Sequence, residues 1–250
     1  MQAEQKQILK SFLLPLVFIV ILWIIKLSEI YFKIDFSNWG VLPRHPEGLK
    51  GIITMPFIHA NIKHLFSNSV PLLILGASLI YFYRVLALRV FLWVWFLDGL
   101  WLWLGGRENY HIGASGIVYG LSGFLFFSGL FRRDTRLIAI SMLVVFLYGG
   151  LVWGMFPDFL GDNISWEAHL YGAAAGALCG WAYRNEGPQR KQYDWENEEE
   201  NNEEMIFIEG EPPVENESPA PPSIQINYDY KPNTEPDEPE ESKPTTNVKD

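Results

Sequence analysis

Several polar residues interrupt stretches that are otherwise apolar. His59, His64 and Asn68 lie in HANIKHLFSN, Ser115 in HIGASGIVYG, His169 in WEAHLYGAAAG, and Asp98 in the run FLDGLW. Ionisable and strongly polar side chains are costly in lipid, so such positions are functional candidates. A serine hydroxyl is a weak nucleophile until a base takes its proton, and imidazole is the usual base near neutral pH. Ser115 and His169 therefore pair as nucleophile and general base of an acyl transfer. The oxyanion formed on attack needs donors, which His64, Asn68 and a backbone N–H at a helix start can supply. Glu167 is two residues from His169, about 200° round a helix, and is a poor third member. The chemistry expected is that of a serine–histidine dyad.

A second G-x-S-G follows the first, with Gly113-Ala-Ser115-Gly116 succeeded by Gly120-Leu-Ser122-Gly123. Ser122 would share the helical face of Ser115 but lie about 10 Å further along the axis. It reads as a packing residue bonded back to its own helix. On one helix His59 and His64 would stand about 140° apart, which suits joint metal ligation poorly. No metal and no cofactor is expected.

Positioning these residues requires membrane helices. A transmembrane helix needs about 20 mostly apolar residues, and segments 11–32, 60–83, 86–104, 113–131, 136–156 and 166–184 qualify. The fourth and sixth are rich in Gly, Ala and Ser, which lets helix backbones approach closely inside a bundle. Arg84 and Arg89 flank the turn between spans two and three. Arg132, Arg133 and Arg136 crowd the turn between spans four and five, and Arg184, Arg190 and Lys191 follow span six. The positive-inside rule makes this side, with both termini, cytoplasmic. Spans two, four and six then all begin on the outer side. His64, Asn68, Ser115 and His169 fall within the first turns of those spans, at similar depth, although the orientation argument used none of them.

The net charge of −10 belongs to one end of the chain. Residues 1–186 carry 11 acids and 14 bases, whereas residues 187–250 carry 18 acids, 5 bases and ten prolines. The second segment cannot bury enough surface to offset its ordering entropy and reads as a disordered cytoplasmic tail. Two apolar islands in it, Met205–Ile208 and Ile224–Tyr230, are possible docking motifs for a cytoplasmic partner. The lone Cys179 reads as a buried packing residue. The N-terminal apolar stretch is too long for a signal peptide and lacks an A-x-A-like site, so it reads as a retained span.

The combination resembles the rhomboid intramembrane serine proteases. That family's pattern is H-x4-H-x3-N on the second core helix, G-x-S-G with a tyrosine four residues on, and A-H-x2-G-x3-G on the last core helix. Matching positions are His59, His64 and Asn68; Gly113, Ser115, Gly116 and Tyr119; Ala168, His169, Gly172 and Gly176. The resemblance spans about residues 10–185. It implies an all-α, six-transmembrane-helix bundle with Ser115 as nucleophile and His169 as base. His64 and Asn68 would form the oxyanion hole with the Ser115 N–H, and Tyr119 would pack on the His169 ring. Gly113 and Gly116 would admit neighbouring backbones, and Gly172 and Gly176 would press span six onto span four. His59 would be structural. Many members carry a Trp-Arg pair in the first outer loop, where this chain has Lys50-Gly51.

By the same resemblance the substrate is a transmembrane segment of another protein, cut near its outer end, and span five is a candidate gate. The expected setting is a lipid bilayer, the bacterial inner membrane, with no nucleic acid involved. Two other readings are open. One is a catalytically inactive rhomboid-like protein that binds membrane proteins, although this chain keeps both serine and histidine. The other is a small transporter, against which the polar residues gather in one leaflet and no inverted repeat is visible.

Overall fold

The computed structural model describes residues 2–147 and 165–187. The chain is an all-α polytopic membrane protein. Its helices are α1 (Gln2–Phe32), the single-turn α2 (Gly51–Thr54), α3 (Ile62–Phe82), α4 (Ala87–Gly105), α5 (Ser115–Arg132), α6 (Thr135–Leu147) and α7 (Trp166–Ala182). Helices coincide with the expected first, second, third, fourth and sixth spans, and α6 with the described part of the fifth. Three of them, α1 from Glu4 onward, α3 and α4, are long and apolar enough by length and composition to cross a membrane. Helix α5 has 18 residues, with glycines and serines set among large apolar side chains, and α7 has 17, about half of them Gly or Ala. The rest of the expected fifth span, most of the last outer loop and the acidic tail lie outside the described residues.

Helix α1 leaves large apolar side chains such as Leu9, Leu13, Leu14 and Ile24 exposed on the protein, as a lipid-facing helix does. Its inner face packs on α3. A Cβ at Gly76 would come within 2.9 Å of the Pro15 ring, so the proline is accommodated by the missing side chain opposite. Trp23 Nε1 donates to Ser69 Oγ at 3.1 Å. The buried centre contains Leu22, Leu65, Leu75, Val90, Val94, Ile117, Leu121, Phe124 and Leu125, which joins α1, α3, α4 and α5.

Helices α5 and α7 meet backbone to backbone. A side chain at Gly172 would collide with the Gly116 carbonyl, and one at Gly176 with the Gly120 carbonyl and, at 2.7 Å, the Phe124 nitrogen. A Cβ at Gly123 would stand 2.7 Å from the Ala173 carbonyl oxygen. Such proximity gives lipid-embedded helices van der Waals contact that no hydrophobic effect supplies.

The connection between α1 and α3 is built of short helical turns rather than open coil. Val41 and His111 form an antiparallel bridge, with N–H···O distances of 2.9 and 2.8 Å. Trp95 Nε1 donates to the Ile52 carbonyl at 3.1 Å, and a Cβ at Gly99 would touch Ile52 Cα at 2.9 Å. At Lys50-Gly51, a side chain on Gly51 would run into the backbone of Gly40. An arginine has no room there. The neighbouring Lys50 ammonium instead lies 5.1 Å over the Trp39 ring, a cation–π contact between different positions of the same loop.

Candidate functional site

Gly113, Ala114 and Ser115 turn the chain from the loop after α4 into α5. Gly113 takes φ +117°, a conformation that side chains rarely adopt. Its N–H donates to the Met55 carbonyl at 3.0 Å, and Ala114 N–H donates to His59 Nε2 at 3.4 Å. Ser115 is therefore the first residue of α5, where backbone N–H groups have no partner within the helix and the dipole is positive.

Ser165 caps α7, its hydroxyl accepting from Ala168 N at 3.3 Å, and His169 follows in the first turn. His169 Nε2 lies 2.9 Å from Ser115 Oγ. Tyr119, one turn beyond Ser115, stacks on the His169 imidazole with centroids 4.1 Å apart and planes 9° apart. Both residues are buried. If Ser115 is the donor, Nε2 is the acceptor and the ring proton resides on Nδ1.

The Asn61 side chain caps α3 by accepting from His64 N at 2.8 Å, which directs His64 and Asn68 toward Gly113. A Cβ at Gly113 would sit 2.8 Å from His64 Cε1, 3.0 Å from His64 Nε2 and 3.8 Å from Asn68 Nδ2. Glycine is thus required there twice, for its φ and for the space before two donors. Asn68 is buried, and its Nδ2 has no hydrogen-bond partner among the described residues. An unsatisfied buried donor is expensive unless a ligand atom completes it.

His59 is not on the helix that carries His64. It sits in the extended segment before Asn61, so the two rings meet edge to face at 5.2 Å, and the expected 140° separation is corrected. Burial, with some help from His64 and Lys26, pushes the His59 imidazole down to about 3. It stays neutral, as an acceptor for Ala114 N–H must.

Ser122 is buried two turns below Ser115. Among the described residues it makes no hydrogen bond to a histidine or to its own helix, so the expected back-bond is not seen. Asp98 is fully buried against Gly116 Cα, on the side of α5 facing α4, and neither carboxyl oxygen has a hydrogen-bond partner among the described residues. Glu167 turns to Arg107, which donates through its guanidinium, with Nη2 to Oε2 at 3.1 Å, and through its backbone N at 3.3 Å. The Arg107 carbonyl accepts from His111 Nε2 at 2.9 Å, and His111 Nδ1 faces Ser165 Oγ at 2.7 Å. Burial lowers the His111 pKa, which favours the neutral ring, with Nε2 protonated toward the Arg107 carbonyl. The loop between α4 and α5 is thereby tied to the residue that caps α7.

A family model for the rhomboid domain matches residues 46–186. The chain belongs to the rhomboid family. Among its relatives, an uncharacterised protein of Mycobacterium tuberculosis is 37% identical over 188 residues, covering 70% of this chain and 75% of that one. An uncharacterised protein of Mycobacterium leprae is 35% identical over 188 residues, or 70% and 72% of the two chains. A Bacillus subtilis protein provisionally named a rhomboid protease is 30% identical over 135 residues, 51% of this chain and 63% of its own. This rhomboid is an integral membrane protein, and its family implies membrane-protein substrates in a bilayer.

Sequence reasoning passed over Lys26 and Glu29, which lie three apart inside the first apolar stretch. The cost of charge in lipid singles them out as it does Asp98. It also left Arg107, His111 and Ser165 unassigned, because nothing in their local sequence announces a shared partner.

Proposed function

We propose that this rhomboid is an intramembrane serine endopeptidase that hydrolyses a peptide bond in or near the transmembrane segment of another membrane protein. The observation that carries the reading is the 2.9 Å approach of Ser115 Oγ to His169 Nε2 beneath a stacked Tyr119. Ser115 attacks the scissile carbonyl while His169 takes its proton. Asn68 Nδ2, His64 and the Ser115 N–H receive the oxyanion. His169 then protonates the leaving amine, and a water activated by the same ring hydrolyses the acyl-enzyme. Tyr119 holds the imidazole plane, and His59 acts structurally through Ala114. Gly113 and Gly116 leave room around the serine, while Gly172 and Gly176 bring α7 close enough for the dyad to form.

Cleavage requires extended substrate backbone, and each amide exposed in lipid costs several kcal/mol. Segments with Gly, Pro or polar residues near the cut unwind at lower cost, and a small residue before it suits a site crowded by Gly and Ala. The positive-inside pattern supports cytoplasmic termini and an outward-facing site. Mycobacterial and Bacillus relatives are consistent with a bacterial cell membrane. Residues 1–186 then form the membrane domain, and 187–250 an acidic cytoplasmic tail available to a partner.

The test is cleavage of a single-span substrate with an unstable outer helix end, reconstituted in liposomes, with the product's new terminus read by mass spectrometry. A cut within or beside the span supports the reading. Binding of the substrate by wild type without any cleavage would instead favour an inactive rhomboid-like binder.

A further inference from the structure

Lys26 is buried in the last turns of α1. Its ammonium donates to Glu29 Oε2 at 2.8 Å, the His59 carbonyl at 2.8 Å and the Ala60 carbonyl at 3.3 Å. Those contacts use all three of its hydrogens. The other oxygen of Glu29 accepts from Phe36 N at 3.1 Å. The two carbonyls belong to the segment immediately before Asn61, the cap that orients His64. The His59 ring within that segment receives Ala114 N–H beside Ser115. One side chain of α1 therefore fixes a segment that reaches both the helix bearing His64 and Asn68 and the start of α5.

A buried ion pair adds little net stability over well-packed apolar residues of similar size. What it supplies here is direction, two carbonyls held at one point from a helix 33 and 34 residues earlier in the chain. We propose that Lys26 is a positioning residue for catalysis, anchoring the His59–Ala60 segment so that His64, Asn68 and the Ser115 N–H converge on the oxyanion. The inference rests on the protease reading above and deepens it. Lys26 touches no reacting atom and acts only through the segment it holds.

The experiment compares wild type with the double variant Lys26→Met, Glu29→Gln, in which no unpaired charge is left behind. Full-length protein in liposomes is assayed for cleavage of the single-span substrate, for the rate of fluorophosphonate labelling at Ser115, and for thermal stability. A drop in kcat of about 10- to 100-fold, a parallel drop in labelling rate, unchanged KM and a melting temperature near wild type are expected. Lys26→Arg, which keeps donors for both carbonyls, should recover most of kcat. Wild-type kcat in the double variant overturns the proposal, as does a fall in melting temperature that accounts for the whole loss. If the double variant does not fold, Lys26→Gln replaces it, and wild-type kcat there is equally fatal. A wild type that neither cleaves nor labels defeats the protease reading itself and is told apart by that control.

Discussion

Ser115→Ala and His169→Ala should each reduce cleavage by at least about 10³-fold, and the double variant should be no worse than either alone. Nucleophile and base act as one unit, so removing the second member of a broken pair costs nothing further. The 2.9 Å contact supplies the geometric premise. Ser122→Ala is the internal control, since that hydroxyl lies two turns away with no histidine bonded to it among the described residues; it should retain activity. Fluorophosphonate labelling gives a second readout and should vanish in Ser115→Ala alone of the two serine variants. Loss of labelling in Ser122→Ala instead would move the nucleophile to the second G-x-S-G.

The second large effect is expected at a residue with no chemistry of its own. Gly172→Val places a side chain where the Gly116 carbonyl, carbonyl carbon and Cα already stand. Backbone cannot move aside as a flexible side chain can, so α7 must separate from α5. A displacement near 1 Å at the dyad lowers kcat by about 100-fold, and overpacking costs about 1–3 kcal/mol of stability. Cleavage kinetics and thermal melting in detergent would measure both. Ala174→Val is the matched control, because Ala174 is on the exposed face of the same helix and should tolerate the added methyls. An active, normally stable Gly172→Val protein would show that the helices can part without disturbing the pair.

The dyad and the helix contact behind it are legible in the sequence to different degrees. Serine, histidine and asparagine within apolar stretches are conspicuous because the cost of a polar group in lipid depends on residue type and immediate surroundings. Both are written in one dimension. The same holds for the membrane class, for the G-x-x-x-G spacing of Gly172 and Gly176, and for placing Ser115 and His169 at similar depth by counting turns. Depth, however, is one coordinate of three. That Ser115 and His169 come within hydrogen-bond distance, and that Tyr119 lies flat on the ring, depends on how α5 and α7 close on each other.

Length and hydropathy also run out where helices are built for contact. Glycine and serine in α5, and glycine and alanine in α7, make these helices less apolar by composition and close neighbours in the bundle, because the small side chains that lower hydropathy are the ones that let backbones touch. The connection between α1 and α3 shows the opposite limit. Lys50-Gly51 departs from the family's Trp-Arg pair, and only the Gly40 backbone beside Gly51, with Lys50 over Trp39, shows how the segment is held instead.

By itself, the sequence determined the kind of protein: an all-α membrane chain with the residue types of a serine–histidine acyl transfer on three of its helices. The tertiary structure decided the partners. It set Glu167 on Arg107, His59 on Ala114, and Lys26 on the carbonyls before α3. The physical reason is that burial cost and periodicity are sums over neighbours along the chain, whereas a hydrogen bond is satisfied by whichever group the packing brings within about 3 Å, often from tens of residues away.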